Sequence, residues 1–173
     1  TWFKPGFSPS TESQQVKPHA PYVRSENFDG KQLGRVWQWN HNPDDKMWSL
    51  KGGKLRLNSM PAEQLMWARN TLTQRVIGPQ SIATVELYVN GMKDGDACGL
   101  GNINVPCSWV GIMRDDHTKT FLLRLWDQGK NAPQQSSIAI PVSLPKGKIW
   151  LRCIGDYDND KMQYAYSTDG TTF

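Results

Sequence analysis

The chain has 173 residues, which is enough for one hydrophobic core of ordinary size. Hydrophobic residues make up 38% of it and charged residues 21%, as in soluble globular proteins, and no apolar run is long enough to span a membrane. The net charge of +4 arises from basic residues scattered among acidic ones, which argues against nucleic-acid binding and favours a solvated surface.

Residues 1–24 differ in composition from the rest of the chain. They contain four prolines and many Ser and Gln residues, which predicts an extended linker. Neither the basic start nor the apolar stretch of a signal peptide is visible there. Because the chain does not begin with Met, we expect it to be processed or excised from a larger protein.

Short runs of alternating apolar and polar residues follow the linker, separated by Gly, Pro, Asn and Asp. This pattern predicts β-strands joined by tight turns, and a β-sandwich as their arrangement. One helical turn is predicted over 61–66. The predicted strands are 35–40, 47–50, 54–58, 67–77, 82–90, 97–104, 107–114, 119–126, 137–142, 148–154 and 161–167.

Several predicted strands combine an apolar face with a face of Trp, Tyr, Arg and Glu. Leu123 and Leu125, for example, lie on the opposite side of their strand from Trp126. If these strands share one sheet, its outer face is aromatic and charged. Such a face could stack on sugar rings, dock on a neighbouring domain, or half-bury its own indoles, and the pattern leaves all three open.

The three cysteines cannot all pair with one another. The hairpin predicted after Cys98 places that residue opposite Met113 rather than Cys107, so a disulfide there would need a bulge or another register. Cys153 shares the apolar face of its strand and is predicted to be a small buried hydrophobic residue. No Cys/His spacing suits zinc.

One segment is unusually rich in tryptophan. Trp37, Trp39 and Trp48 lie within twelve residues, with Asn40 and His41 between them. An indole offers a flat apolar face and one N–H donor, and amides can bond hydroxyl groups, so the segment suits a sugar ring. A buried seam between domains would use the same residues.

Four phrases in this order and spacing carry a family resemblance. They are Phe-Asp-Gly at 28–30, Ala-Arg-Asn-Thr-Leu-Thr-Gln-Arg at 68–75, Gly-Met-Lys-Asp-Gly-Asp-Ala at 91–97 and Tyr-Ser-Thr-Asp-Gly at 166–170. From about Glu26 to Phe173 the chain resembles the C-terminal module of glycoside hydrolase family 43, the β-xylosidases and α-L-arabinofuranosidases. The resemblance implies an all-β, concanavalin A-like (jelly-roll) β-sandwich of two antiparallel sheets over 25–173. The family continues with further strands, so we expect the last strands to be missing here.

The same resemblance implies a role beside a catalytic domain. In this family the catalytic aspartates and glutamate lie in a five-bladed β-propeller that precedes the sandwich. The implied module packs on that propeller, helps to shape its active site and binds xylan. The implied parent is a secreted or periplasmic xylan 1,4-β-xylosidase or α-L-arabinofuranosidase acting on xylan or arabinoxylan. The alternative is an independent, lectin-like carbohydrate-binding domain for the same polysaccharides.

By position, the family's loop to the active-site mouth corresponds to residues 58–67. We therefore expect a contact surface for substrate or propeller. Its predicted members are Trp37, Trp39, Asn40, His41, Met60, Leu65, Met66, Trp67, Arg69 and Arg75. Core packing for Trp39 and Trp48, and salt bridging within the sheet for Arg69 and Arg75, are equally acceptable roles.

The sequence shows no pair of catalytic carboxylates, which glycoside hydrolysis requires. Of the four glutamates, only Glu86 has an interesting position, on the outer face of a strand, and the aspartates cluster in turns. We expect no catalytic residue and no cofactor in this chain, although its parent is expected to be a hydrolase.

One acidic run resembles a calcium loop. Residues 156–160 alternate Asp with other residues, but Lys161 stands where that loop needs Gly and the closing Glu is absent. A β-hairpin is therefore predicted. Related sandwiches often carry a structural calcium, for which this sequence offers no ligand set.

Overall fold

The computed structural model describes residues 24–104, 106–118, 120–129 and 133–173. Within these ranges the chain forms eleven β-strands and one 3₁₀ turn, Leu65–Trp67. The strands are β1 (Gln38–Trp39), β2 (Trp48–Leu50), β3 (Leu55–Leu57), β4 (Leu72–Thr73), β5 (Gln80–Tyr88), β6 (Ala97–Asn102), β7 (Cys107–Asp115), β8 (Thr120–Gln128), β9 (Gln135–Val142), β10 (Lys148–Asp156) and β11 (Lys161–Ser167).

Two larger antiparallel sheets form a sandwich. One has the strand order β6-β7-β8-β9 and the other the order β11-β10-β5, while β1 pairs with β4 and β2 with β3 in two small ribbons. Ile112 and Leu123 from the first sheet meet Ile149 and Leu151 from the second in a single core. Full burial of such a side chain stabilises the fold by roughly 1.5–3 kcal/mol.

The predicted alternation is confirmed, but the strands do not share one sheet. β7 and β8 lie in the four-stranded sheet, and β5 and β10 lie in the three-stranded sheet. The two outer faces also differ. That of the three-stranded sheet is open, with Ile82 67% exposed, whereas that of the four-stranded sheet is covered, with Trp109 and Trp126 each only 8% exposed.

The covered outer face depends on glycine. The Trp109 and Trp126 rings stack with centroids 3.8 Å apart and planes within 3° of parallel. A Cβ added at Gly99 or Gly111 would lie 2.8 or 2.5 Å from the Trp109 ring, which is too close for a real contact. Only residues without a side chain let the indole lie flat on the sheet.

The bounds predicted for three elements between residues 35 and 77 differ from those in the structure. The strand predicted over 67–77 is wrong, since only Leu72–Thr73 is a strand there. Asn70 interrupts it in the left-handed region, at φ 56°. The strand predicted over 35–40 shortens to Gln38–Trp39, and the helical turn predicted over 61–66 appears as the 3₁₀ turn Leu65–Trp67. Of the predicted linker, only residue 24 lies among the described residues.

The three cysteines are free thiols, and Cys153 is buried as predicted. Cys98 pairs with Ile112 rather than with Met113, because the β6–β7 register is shifted by one residue from the prediction. Burial raises the pKa of the Cys98 thiol to about 12 and that of the Cys153 thiol to about 11. Both thiols are therefore protonated and unreactive at neutral pH.

The acidic run at 156–160 forms the predicted hairpin, which joins β10 to β11. The Asp156 carboxylate accepts hydrogen bonds from the backbone and side-chain amides of Asn159, at 3.3 and 2.8 Å. Over the described ranges, no three His, Cys, Asp or Glu side chains are grouped so as to hold a metal ion. The same ranges contain no helix that is long and apolar enough to cross a membrane.

Substitution of alanine at two isoleucines on opposite faces of the three-stranded sheet tests the position of the core. Ile149→Ala should lower the free energy of unfolding by about 2–5 kcal/mol, because it leaves a cavity in a closed interior. Ile82→Ala removes the same atoms from an exposed position and should change it by about 0.5 kcal/mol or less. Urea denaturation of both variants measures the difference, and equal losses would contradict the sandwich described here.

Candidate functional site

The 3₁₀ turn at Leu65–Trp67 is anchored to the covered outer face of the four-stranded sheet. The Oε1 atom of Gln134 accepts a hydrogen bond from the Leu65 backbone N–H at 3.1 Å and another from Trp109 Nε1 at 3.2 Å. Since one amide oxygen bonds both the turn and the buried indole, the position of the turn follows from the packing of the sheet.

The carbonyl of Met66 ties the turn to the segment after β1. It accepts hydrogen bonds from Asn40 Nδ2 at 3.2 Å and from His41 Nε2 at 2.6 Å. Because a carbonyl oxygen can only accept, the His41 ring must carry its proton on Nε2. These bonds hold the imidazole against Trp67, with ring centroids 6.4 Å apart and planes 15° from parallel.

Asn70 joins the same two segments a second time. Its Oδ1 accepts a hydrogen bond from the Asp44 N–H at 2.8 Å, and its Nδ2 donates to the Asp44 carbonyl at 3.1 Å. The side chain is only 4% exposed, and the backbone has φ 56°. Asparagine suits this position because it tolerates the left-handed region better than most residues, and its amide can satisfy both backbone groups of Asp44.

Four residues held in this way line an open cavity of about 460 Å³, here called the Trp67 groove: His41, Asn42, Trp67 and Arg69. Trp67 is 62% exposed. Arg69 donates a hydrogen bond from Nε to the Asn42 carbonyl at 3.3 Å. The groove thus offers a flat indole, an imidazole and a guanidinium side by side.

Carboxylates close to the groove in sequence are bound within their own turn. Asp44 Oδ1 accepts a hydrogen bond from the Lys46 N–H at 3.1 Å, and Asp45 Oδ1 accepts one from Trp48 Nε1 at 3.1 Å. The four lining residues include no acid. The groove is therefore aromatic and basic.

The structure brings together half of the ten residues predicted as a contact surface. His41, Trp67 and Arg69 line the groove, and Asn40 and Met66 support it. Leu65 fixes the base of the turn through Gln134. Met60 is half-buried in the same loop but does not line the groove.

The remaining predicted residues lie elsewhere. Trp37 stacks on Phe28 with centroids 5.7 Å apart. Trp39 packs on Trp48 with ring centroids 5.2 Å apart, and both indoles are half-buried outside the core cluster. The Arg75 carbonyl accepts a hydrogen bond from the Arg24 guanidinium, and no salt bridge of the Arg75 side chain is found among the described residues.

Sequence reasoning missed the residues that position the groove. Asn70 stood inside one of the family phrases without an assigned role, although an Asn that breaks an alternating pattern is a signal for the left-handed region. Gln134 and Trp109 carry no such local signal. Gln134 bonds both Trp109 and Leu65, and both of these residues are distant from it in the chain.

Glu86, the glutamate singled out from the sequence, lies on the open outer face. Its carboxylate pairs with Lys148 at 2.7 Å. The hydrogen bond from Lys148 holds the pKa of the Glu86 carboxyl below its ordinary value. A proton donor in glycoside hydrolysis needs the opposite shift.

Residues 25–173 match the family described as the beta-xylosidase C-terminal concanavalin A-like domain. The chain belongs to this family. The resemblance predicted from the sequence phrases and the concanavalin A-like sandwich are both confirmed.

Two curated relatives are named as beta-xylosidases. A putative beta-xylosidase from Xylanibacter ruminicola is 30% identical over 174 residues, a match that covers 98% of this chain and 28% of the relative. A beta-xylosidase from Formosa agariphila is 26% identical over 172 residues, covering 86% of this chain and 28% of the relative. The chain thus spans little more than a quarter of the length of either protein.

Two solved structures contain a similar domain. A bifunctional GH43-CE protein from Bacteroides eggerthii superposes with a TM-score of 0.76 at 33% identity, covering 85% of this chain and 20% of that one. A GH43 glycoside hydrolase engineered to display endo-xylanase and exo-arabinofuranosidase activity gives a TM-score of 0.80 at 24% identity, covering 92% and 34%. The second likeness supports the fold alone.

Two substitutions at Asn70 separate its hydrogen bonds from its backbone conformation. Asn70→Gly should lower the free energy of unfolding by about 1–3 kcal/mol, because both backbone groups of Asp44 lose their partner. Asn70→Ala should lower the free energy of unfolding by about 1–2 kcal/mol more than Asn70→Gly, because the left-handed region is also unfavourable for alanine. Urea denaturation checks both values, and an alanine variant at least as stable as the glycine variant would contradict the role given to the backbone.

Proposed function

We propose that this domain is a non-catalytic accessory domain of a family 43 glycoside hydrolase. It packs on the catalytic β-propeller of the same protein and presents the Trp67 groove to carbohydrate at the mouth of the active site. The relatives named as beta-xylosidases support a hydrolase parent, since about three quarters of their length lies outside the matched region. The expected substrate is xylan or arabinoxylan.

The proposal rests on one observation above all, the combination of exposure and order at Trp67. The side chain is 62% exposed, yet the turn that carries it is fixed by bonds to Gln134, Asn40 and His41. A large exposed aromatic side chain on a fixed support is typical of a contact surface. Sugar rings and partner domains both use such surfaces.

Three described carboxylates have a pKa displaced in the direction opposite to that of a proton donor. Glu86, Asp115 and Asp169 have displaced pKa values, and in each case hydrogen bonds to the charged form lower them. Catalysis would require one carboxyl group with a raised pKa facing a second carboxylate across a sugar. The parent's propeller would supply that pair.

The groove also favours the second candidate function, carbohydrate binding by the domain itself. It is an open depression of about 460 Å³, in which a sugar ring stacked on Trp67 would keep its other face in water. Either role suits a secreted or periplasmic protein, because xylan is a polymer found outside the cell. That location is part of the proposal.

Replacement of Trp67 in the full-length hydrolase tests the main proposal. Trp67→Ala should lower kcat/KM on neutral xylooligosaccharides by roughly three- to tenfold, the effect expected when one aromatic stacking contact is lost. Ile82→Ala removes a comparably exposed apolar side chain from the open outer face and serves as the matched control. Steady-state kinetics measure the change. Unaltered kinetics in a folded Trp67→Ala enzyme would argue against a groove at the active-site mouth.

A further inference from the structure

Arg69 is a cation in the groove for which the described part of the chain provides no acidic partner. Among the described residues the ion pairs are Arg114–Asp116 and Lys148–Glu86, and Arg69 belongs to neither. Its Nε is bound to the Asn42 carbonyl, and no partner of its two terminal nitrogens, which form another edge of the guanidinium, is found among the described residues. That edge can donate two parallel hydrogen bonds to one carboxylate.

The acids closest in sequence to Asn42 already bind other groups. Asp44 and Asp45 accept hydrogen bonds from the Lys46 backbone and from the Trp48 indole. The groove lining adds His41 and no carboxylate. A negatively charged ligand would therefore meet a single unpaired guanidinium beside a flat indole.

We infer that the Trp67 groove binds a uronic acid, a sugar whose ring carries a carboxylate, as a side group of acidic xylan. This inference rests on the proposed function in taking the ligand to be carbohydrate. The ring of the uronic acid stacks on Trp67, and its carboxylate accepts two hydrogen bonds from Arg69. Such charge-assisted pairs are about twice as strong as bonds between neutral groups, so the groove prefers the acid over a neutral sugar of the same shape.

The test compares two ligands that differ in one functional group. The first is a xylooligosaccharide with a single glucuronic acid side group, and the second is the same compound with its carboxyl group reduced to an alcohol. Calorimetric titration of the intact protein should show roughly tenfold to hundredfold tighter binding of the acid, the range expected for hydrogen bonds to a charged group. Raising the salt concentration should weaken binding of the acid alone.

Variants assign the preference to one side chain. Arg69→Gln should abolish the difference between the two ligands, and Arg69→Lys should retain only part of it because lysine lacks the planar fork. Arg56→Gln, which removes the same charge from an exposed position on β3 outside the groove, should leave the preference unchanged. A preference that survives Arg69→Gln would overturn the assignment.

The remaining outcomes are distinguishable from failure of the proposed function. Equal affinity for both ligands overturns the uronic acid inference, even if Trp67→Ala still impairs hydrolysis by the parent. Binding of neither ligand also overturns it, and would leave Arg69 to pair with a carboxylate of the propeller. The third outcome is a clear preference for the acid while Trp67→Ala leaves hydrolysis unaltered. In that case the uronic acid inference holds, and the groove does not lie at the active-site mouth.

Discussion

The Trp67 groove depends on how one indole lies on one sheet. Trp109 rests flat against the backbone of Gly99 and Gly111, where any Cβ would clash with its ring, and Trp126 covers it from the other side. In this position its Nε1 reaches Gln134, whose oxygen also accepts the Leu65 N–H at the base of the 3₁₀ turn. The packing of the covered sheet face therefore sets the position of the loop that carries Trp67, because the Gln134 oxygen bonds both of them.

The cations of the open outer face differ from the cation of the groove in how they are engaged. On the open face, cationic groups lie over aromatic rings: Lys54 and Lys148 approach Tyr88 within 4.0 and 4.6 Å of its centroid, and Arg152 lies 3.5 Å from that of Phe173. Those charges are already occupied by cation–π contacts, which stabilise the surface itself. In the groove, by contrast, the described residues offer Arg69 one backbone partner, the Asn42 carbonyl, and Trp67 remains exposed.

The parts of the fold that sequence could predict are those governed by local pattern. Alternation along β5, β7, β8 and β10 correctly assigned the core faces, because period-two burial follows directly from strand geometry. The strand predicted over 67–77 failed because the conformation of Asn70 is set by a hydrogen bond to Asp44, 26 residues away. No local preference encodes such a distant partner.

In the candidate site, too, some features follow from local sequence and others depend on distant contacts. Trp37, Trp39 and Trp48 cluster in sequence, but they form two separate contacts. Trp37 lies against Phe28, and Trp39 lies against Trp48. His41, Trp67 and Arg69 were predicted as members of a broader surface, yet their meeting depends on bonds between two loops. Residue types could therefore be predicted, whereas their grouping required the structure.

The most direct test of this account is a crystal structure of the full-length hydrolase bound to a xylooligosaccharide. The account predicts that the groove faces the active site of the propeller, with a sugar ring stacked on Trp67 at about 3.5–4.0 Å between carbon atoms. A structure in which Trp67 lies far from the active site, with the sugar bound entirely by the propeller, would contradict it.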